Sequence, residues 1–248
     1  MRILRRIASQ SWGVLLLFAA WQIYVMLMHY NSIVIVTPIA VVRDIILNPI
    51  VYAQPALWTL GFALAGLAGG LAIGLLLAVL TWRSEIFSGV INPAALLLSS
   101  TPVVCLIPLL ARIFGYQNHT ELVTVIILTF FPAFVFAASG LRKLPPMSRE
   151  LFTIFAASPW KRLWLLALPA AVPSLAVALR VCAAYSVMVT MIAEYLMQTG
   201  GLGNMFALTS QEFQTERAFG ASLVAMALSS ALYSAAGAVE VRIQARYQ

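Results

Sequence analysis

Two ionisable residues stand deep inside apolar sequence, Arg180 and Glu194, in the run LPAAVPSLAVALRVCAAYSVMVTMIAEYLM. Inside a membrane such a charge faces the bundle interior or a water path, where it serves transport, a proton relay or a structural pair. Arg180 lies about 16 Å beyond Pro169 along a helix, and Glu194 about 21 Å beyond Arg180, at 1.5 Å per residue. The two therefore cannot pair within one straight helix. Two roles fit Arg180: contact with a passing anion, or a structural pair with backbone carbonyls or, across a subunit interface, with Glu194. An enzyme working in the bilayer needs a nucleophile with its base, or a set of metal ligands. Both histidines, His29 and His119, fall in loops, and no acidic pair lies within a span. Arg112 and Glu121 flank the outer turn YQNHT and read as solvated loop groups. Cys105 and Cys182 lie in apolar runs and read as small buried hydrophobes rather than a disulfide or metal site. Neither a catalytic nor a metal constellation emerges, and an intramembrane enzyme is the weakest of the alternatives.

The second segment with chemistry in it is RELFTIFAASPWKRLWLLALPAAVP, residues 149–173. From Glu150 to Ala157 its apolar residues, Leu151, Phe152, Ile154 and Phe155, have helical spacing. Ser158 and Pro159 then fit the N-cap and first turn of a new helix. Two helices meeting at a sharp turn would let the first lie along the membrane surface and enter a partner's groove. Phe152, Phe155 and Trp160 would be its apolar anchors, with Glu150 and Lys161 as polar rim. An ordinary interfacial helix with a tryptophan belt fits the same residues. Pro169 and Pro173 each remove a backbone donor and bend the following span, which suits a gate and equally a static kink.

The elements that must hold these residues are membrane helices. The chain of 248 residues is 62% hydrophobic and 9% charged, where a soluble domain carries about 25% charged residues. The apolar runs are continuous rather than alternating, which excludes a β-barrel. Six spans are expected, near residues 12–28, 57–82, 87–114, 121–140, 163–195 and 219–241. The third is broken by Pro93, Pro102 and Pro108, and the second carries Gly66, Gly70 and Gly74 on one face for close helix packing. With both termini in the cytoplasm, that side holds Arg2, Arg5, Arg6, Arg83, Arg142, Lys143, Arg149, Lys161, Arg162, Arg242 and Arg246. The outside holds Arg43 and Arg217, with Arg112 near the outer end of span three. This asymmetry follows the positive-inside rule. It also assigns the net charge of +7 to span ends, so no nucleic-acid partner is expected. Residues 29–56 contain an amphipathic helix opened by Thr37-Pro38, lying on the outer surface. In the external segment 197–217, Gly200, Gly201 and Gly203 mark a turn that needs close backbone approach or positive φ. It is not a phosphate loop, because no Lys-Ser/Thr follows and no strand precedes it.

Taken in order, these residues resemble one family. Glu150, Ala156 and the Leu168-Pro169 step match the spacing of the EAA loop of bacterial ABC importer permeases, and PAAVP looks like that family's continuation. Leu179-Arg180, Ala193-Glu194 and Gly201-Leu202-Gly203 are similar, in order and spacing, to the sulfonate/nitrate/taurine-type subfamily, as is TPVVCLIPLLARIFG upstream. The likeness covers roughly residues 55–245. Leu151 and Phe152 depart from its paired alanines, and Ala156 from its glycine.

The resemblance implies an all-α polytopic fold of the type I ABC importer kind, with a coupling helix between spans four and five. It implies an N-terminal part, 1–56, and a permease core, 57–248, with the coupling loop at 143–162. ATPase docking then falls to Glu150, Leu151, Phe152, Phe155, Ala156, Ala157, Ser158, Pro159, Trp160 and Lys161. The implied partners are a second permease subunit (identical or sister), two ATPase subunits and an extracytoplasmic substrate-binding protein, in a bacterial inner membrane. ATP and Mg would sit on the ATPases, and no cofactor or metal on this chain, which has no Walker motif. The implied substrate is a small anion or a small heterocycle. A stand-alone carrier is the alternative. It would show two related halves, and none is visible between spans one to three and four to six.

Overall fold

Glycine at every fourth position through Gly66, Gly70 and Gly74 sets a closely packed helix pair. The computed structural model describes residues 2–28, 31, 35–144, 147–148, 152, 154–155 and 157–247. Among them the regular elements are all helices: α1 Arg2–Met28, α2 Pro38–Leu47, α3 Pro49–Arg83, α4 Glu85–Ser100, α5 Val103–Phe114, α6 Asn118–Arg142, α7 Pro159–Met197, α8 Gly201–Gln211 and α9 Thr215–Tyr247. The three glycines of α3 are buried against α6. A methyl group at Gly70 would lie 2.7 Å from Thr129 Cβ, and one at Gly74 2.8 Å from Ala133 Cβ. Apolar attraction between helices is weak when lipid is equally apolar, so this close backbone approach is what binds the pair.

The consequence is testable. Gly70→Ala overpacks the seam and should cost about 1–3 kcal/mol. Gly89→Ala is the control, since nothing lies within 4 Å of a methyl group there. Cys182 is fully buried as expected, but Cys105 is exposed on α5 rather than buried, so in a Cys105→Ser background the reaction of Cys182 with a thiol dye during heating reports unfolding. The midpoint should fall by several degrees, at about 2–4 °C per kcal/mol, for Gly70→Ala and stay put for Gly89→Ala.

α6 and α7 are the centre of the bundle: 44% of the apolar window of each is buried, against 11% for α9. Gly140 of α6 makes room for Ala171 and Ser174 of α7. Phe130, Phe134, Leu141 and Leu163 fill the layer around that contact. The outward faces carry exposed Leu57, Ile86, Leu97 and Met226, as lipid contact requires.

Among the described residues four helices are long and apolar enough to cross a membrane, α3, α6, α7 and α9, and five segments if α4 and α5 count as one bent span. Of the six expected spans, 12–28 lies in α1, where Leu15–Met28 is an apolar helical stretch. This helix rests on α9 through Trp21 and Phe219, whose rings are 5.6 Å apart. The third expected span turns through 106° between α4 and α5. Its break falls at one of the three prolines. Pro102 drives Thr101 into extended backbone, with φ −78° and ψ 126°, whereas Pro93 and Pro108 stay inside helices.

Thr37-Pro38 opens α2 as expected, the Thr37 hydroxyl accepting the Ala40 N–H at 3.3 Å. Asp44 fastens α2 to its neighbours: it accepts hydrogen bonds from Tyr52 and Asn48 and lies 3.9 Å from Arg217. One helix was not foreseen, α8, in the segment read only as a glycine turn and its continuation.

Candidate functional site

Three sets of residues singled out by sequence occupy α7 and its two ends. At the first end, Ser158 caps α7, its hydroxyl accepting the Lys161 N–H at 3.4 Å, and Pro159 occupies the first turn. The Arg162 Nε donates to the Ala157 carbonyl at 3.1 Å. These local bonds fix the direction in which the preceding segment leaves the helix. Phe155, at 78% exposure, and Trp160, at 60%, project into solvent beside Ile154. Phe152 and Ala157 are half-buried, while Ser158, Pro159 and Lys161 are exposed. Glu150, Leu151 and Ala156 lie outside the described residues.

Immediately after this junction the helix widens into a π turn, Leu163–Ala167, in which the Leu168 N–H reaches back to the Leu163 carbonyl. Pro169 follows and offers no N–H, and the π turn resets the bonding pattern just before it. Pro173 sits inside the regular helix beyond. A wide turn at this place leaves a mechanically distinct joint between the exposed aromatics and the buried body of α7. Sequence placed the prolines but not the turn, since the π bonding depends on the packing of Leu163 and Ala167 in the core.

At the other end, Glu194 is fully buried and belongs to a clamp. The Thr59 hydroxyl of α3 sits 2.9 Å from both Glu194 carboxyl oxygens and accepts the Leu202 N–H at 2.9 Å. The Gly203 N–H donates to Glu194 Oε2 at 2.9 Å. Gly200, at the N-cap of α8, has no side chain to cap it, so Glu194 and Thr59 satisfy the helix's first N–H groups through space. The three glycines follow from this. Gly200 and Gly201 have φ of 155° and 72°. A methyl group on Gly200 would press on the Trp58 ring, on Gly201 on the Glu194 carboxyl, and on Gly203 on the Met191 carbonyl. Glu121 grips the same turn from α6, accepting the Thr199 hydroxyl at 2.6 Å. It is fully buried, not solvated as its place next to YQNHT led us to expect. The α6 helix starts at Asn118 and packs this first turn inward, whereas Arg112 and His119 are exposed as expected.

Within the chain, and among the described residues, Arg180 pairs with Glu240. Its Nη1 lies 3.2 Å from Glu240 Oε2 of α9, and its guanidinium carbon 4.2 Å from the Tyr233 ring centroid. Gly237 leaves the space: a methyl group there would sit 3.1 Å from Arg180 Nε. Gln244 holds the second Glu240 oxygen at 2.9 Å. Thr59, Thr199, Tyr233 and Glu240 were not singled out by sequence. The visible signal for Glu240 was a carboxylate close to the end of an apolar run.

The chain thus joins an exposed aromatic junction, a π joint and a clamped far end on one helix. The family model of the binding-protein-dependent transport system inner membrane component matches residues 70–246. The "Probable ABC transporter permease protein" of Haemophilus influenzae is 28% identical over 89% of each chain. The formylaminopyrimidine transport permease protein of Halalkalibacterium halodurans is 27% identical over 76% of each. Among solved structures, the inward-facing MetNI methionine ABC transporter has a subunit with this fold, at a TM-score of 0.65 and 17% identity, covering 75% of this chain and 92% of that one. The chain belongs to the binding-protein-dependent transport system inner-membrane components and is a permease subunit of an ABC importer.

Proposed function

We propose that two permease chains, identical or sister, enclose the substrate pathway and that two ATPases dock on residues 143–162. The carrying observation is the pair of exposed aromatics, Phe155 and Trp160, on either side of the Ser158 cap that opens α7. A docked ATPase that closes on ATP would move this junction, and the π turn would pass the motion to α7. Both termini and the docking loop lie in the cytoplasm in this reading, supported by the basic residues at those helix ends. A substrate-binding protein delivers from the other face. ATP and Mg are bound by the ATPases, and this chain hydrolyses nothing.

The substrate is a small molecule, and a heterocycle of the kind named for the formylaminopyrimidine relative fits better than a free anion. Arg180, the deep cation of α7, is already neutralised by Glu240. Co-purification tests the docking. In detergent, the neighbouring ATPase should be retained by the wild-type chain, and its retention should fall at least tenfold for Phe155→Ala with Trp160→Ala. The loss of two exposed apolar anchors is worth about 2–4 kcal/mol at an interface. Equal retention would put the docking surface elsewhere.

A further inference from the structure

A cavity of about 610 Å³ opens at the end of the bundle from which the 143–158 connection leaves. Its wall includes Arg83 from the end of α3, Arg142 from the end of α6 and Arg162 from the start of α7, with Trp82, Ser88 and Glu85. Three arginines thus line one space with, among the described residues, a single carboxylate, Glu85. Among the described residues none of the three lies within ion-pair distance of an acid. Among the described residues, Arg142 Nη2 holds Ser88 Oγ at 3.4 Å and Arg162 Nε the Ala157 carbonyl, and most of their other N–H groups meet no described acceptor. Guanidinium is planar and forked, and it matches phosphate oxygens two at a time.

We infer that this cavity is a binding site for a phosphodiester anion, supplied by the head group of an anionic phospholipid. The surroundings favour a lipid over a soluble phosphate. Trp160 and Trp164, 60% and 65% exposed, lie on the same helix end, where tryptophan marks the membrane interface. Ile86, 80% exposed, follows Glu85 on α4, and Leu141, Leu144 and Leu166 line the cavity, which gives acyl chains apolar contact. A basic pocket between helix ends is the form that head-group recognition takes in membrane proteins. The bound lipid would brace α3, α4, α6 and α7 at the base of the docking loop. The site is independent of what the importer carries.

The test uses the intact chain in nanodiscs of phosphatidylcholine doped with phosphatidylglycerol, with bound lipid counted by native mass spectrometry after transfer to detergent. The wild type should retain phosphatidylglycerol in preference to phosphatidylcholine. Each of Arg83→Gln, Arg142→Gln and Arg162→Gln should lower that preference about fivefold, near 1 kcal/mol per cation at a membrane surface. Arg43→Gln and Arg112→Gln, exposed and away from the cavity, should not change it. The triple Arg→Lys variant keeps the charge and should keep part of the preference, which separates anion binding from a folding defect. No preference in the wild type, or equal retention by the Gln variants and the wild type, overturns the inference. Displacement of the lipid by millimolar inorganic phosphate would make the occupant a soluble anion and overturn the lipid assignment. Unchanged lipid with loss of the ATPase from the Gln variants would make the cavity a protein contact, and would overturn it too.

Discussion

Glu194→Ala is expected to be among the most damaging single substitutions in the chain, lowering stability by about 3–4 kcal/mol. The carboxyl group serves the Thr59 hydroxyl and the Gly203 N–H in a fully buried place. Removing it orphans both donors, at about 1–3 kcal/mol each, in a fully buried site. It also leaves the start of α8 without a cap, since Gly200 supplies none. By thiol unmasking of Cys182, the midpoint should fall by about 10 °C. Glu194→Gln keeps two heavy atoms in place and one good acceptor, so it should lose about 1 kcal/mol and still transport. If the Gln variant is as stable as wild type yet transports nothing, the carboxyl charge itself acts in transport and the clamp is not its purpose.

Glu240→Ala should cost about 2 kcal/mol. Stranding one member of a fully buried ion pair costs about 3–5 kcal/mol. Here the Arg180 side chain is 35% exposed and Glu240 11%, so water relieves part of that. The π face of Tyr233 keeps some hold on the guanidinium. Arg180→Met should cost a similar amount by stranding Glu240. The double variant Arg180→Met with Glu240→Met should be near neutral, because removing both charges restores an apolar contact between α7 and α9. The cycle through Arg180→Met and Glu240→Met should therefore show coupling of about 3–4 kcal/mol, close to the sum of the two single losses. Additive losses would mean that the two side chains act separately, and the reading of Arg180 as an anion contact would return.

Local features of this site could be read from the sequence, and distant pairings could not. Ser158-Pro159 announced the start of α7 because a cap and a first-turn proline act within four residues. The stripe of Gly66, Gly70 and Gly74 announced close packing because helical periodicity is local too. Gly200, Gly201 and Gly203 announced a crowded turn, and the structure shows what crowds it. The clamp itself joins residues 135 and 143 positions apart, and nothing in a threonine within an apolar span says which carboxylate it will meet. The Arg180–Glu240 pair spans 60 positions in the same way. Glu121 was misjudged for a related reason. Its neighbours in sequence are polar, but its helix begins three residues earlier and turns the carboxyl inward toward Thr199. The 106° turn at Pro102 shows a limit of another kind. Three prolines of equal standing in sequence gave one break, because two of them found room inside a helix.

The most direct test of coupling replaces Phe155 and Trp160, one at a time, with photoreactive p-benzoylphenylalanine in the assembled importer. Arg43, exposed on α2, is replaced in the same way as a control. Ultraviolet light should then join the chain to its ATPase from positions 155 and 160 and not from 43. ATPase that co-purifies with all three chains but forms no adduct from 155 or 160 would contradict docking at this junction, and with it the transmission of force through the π turn into α7.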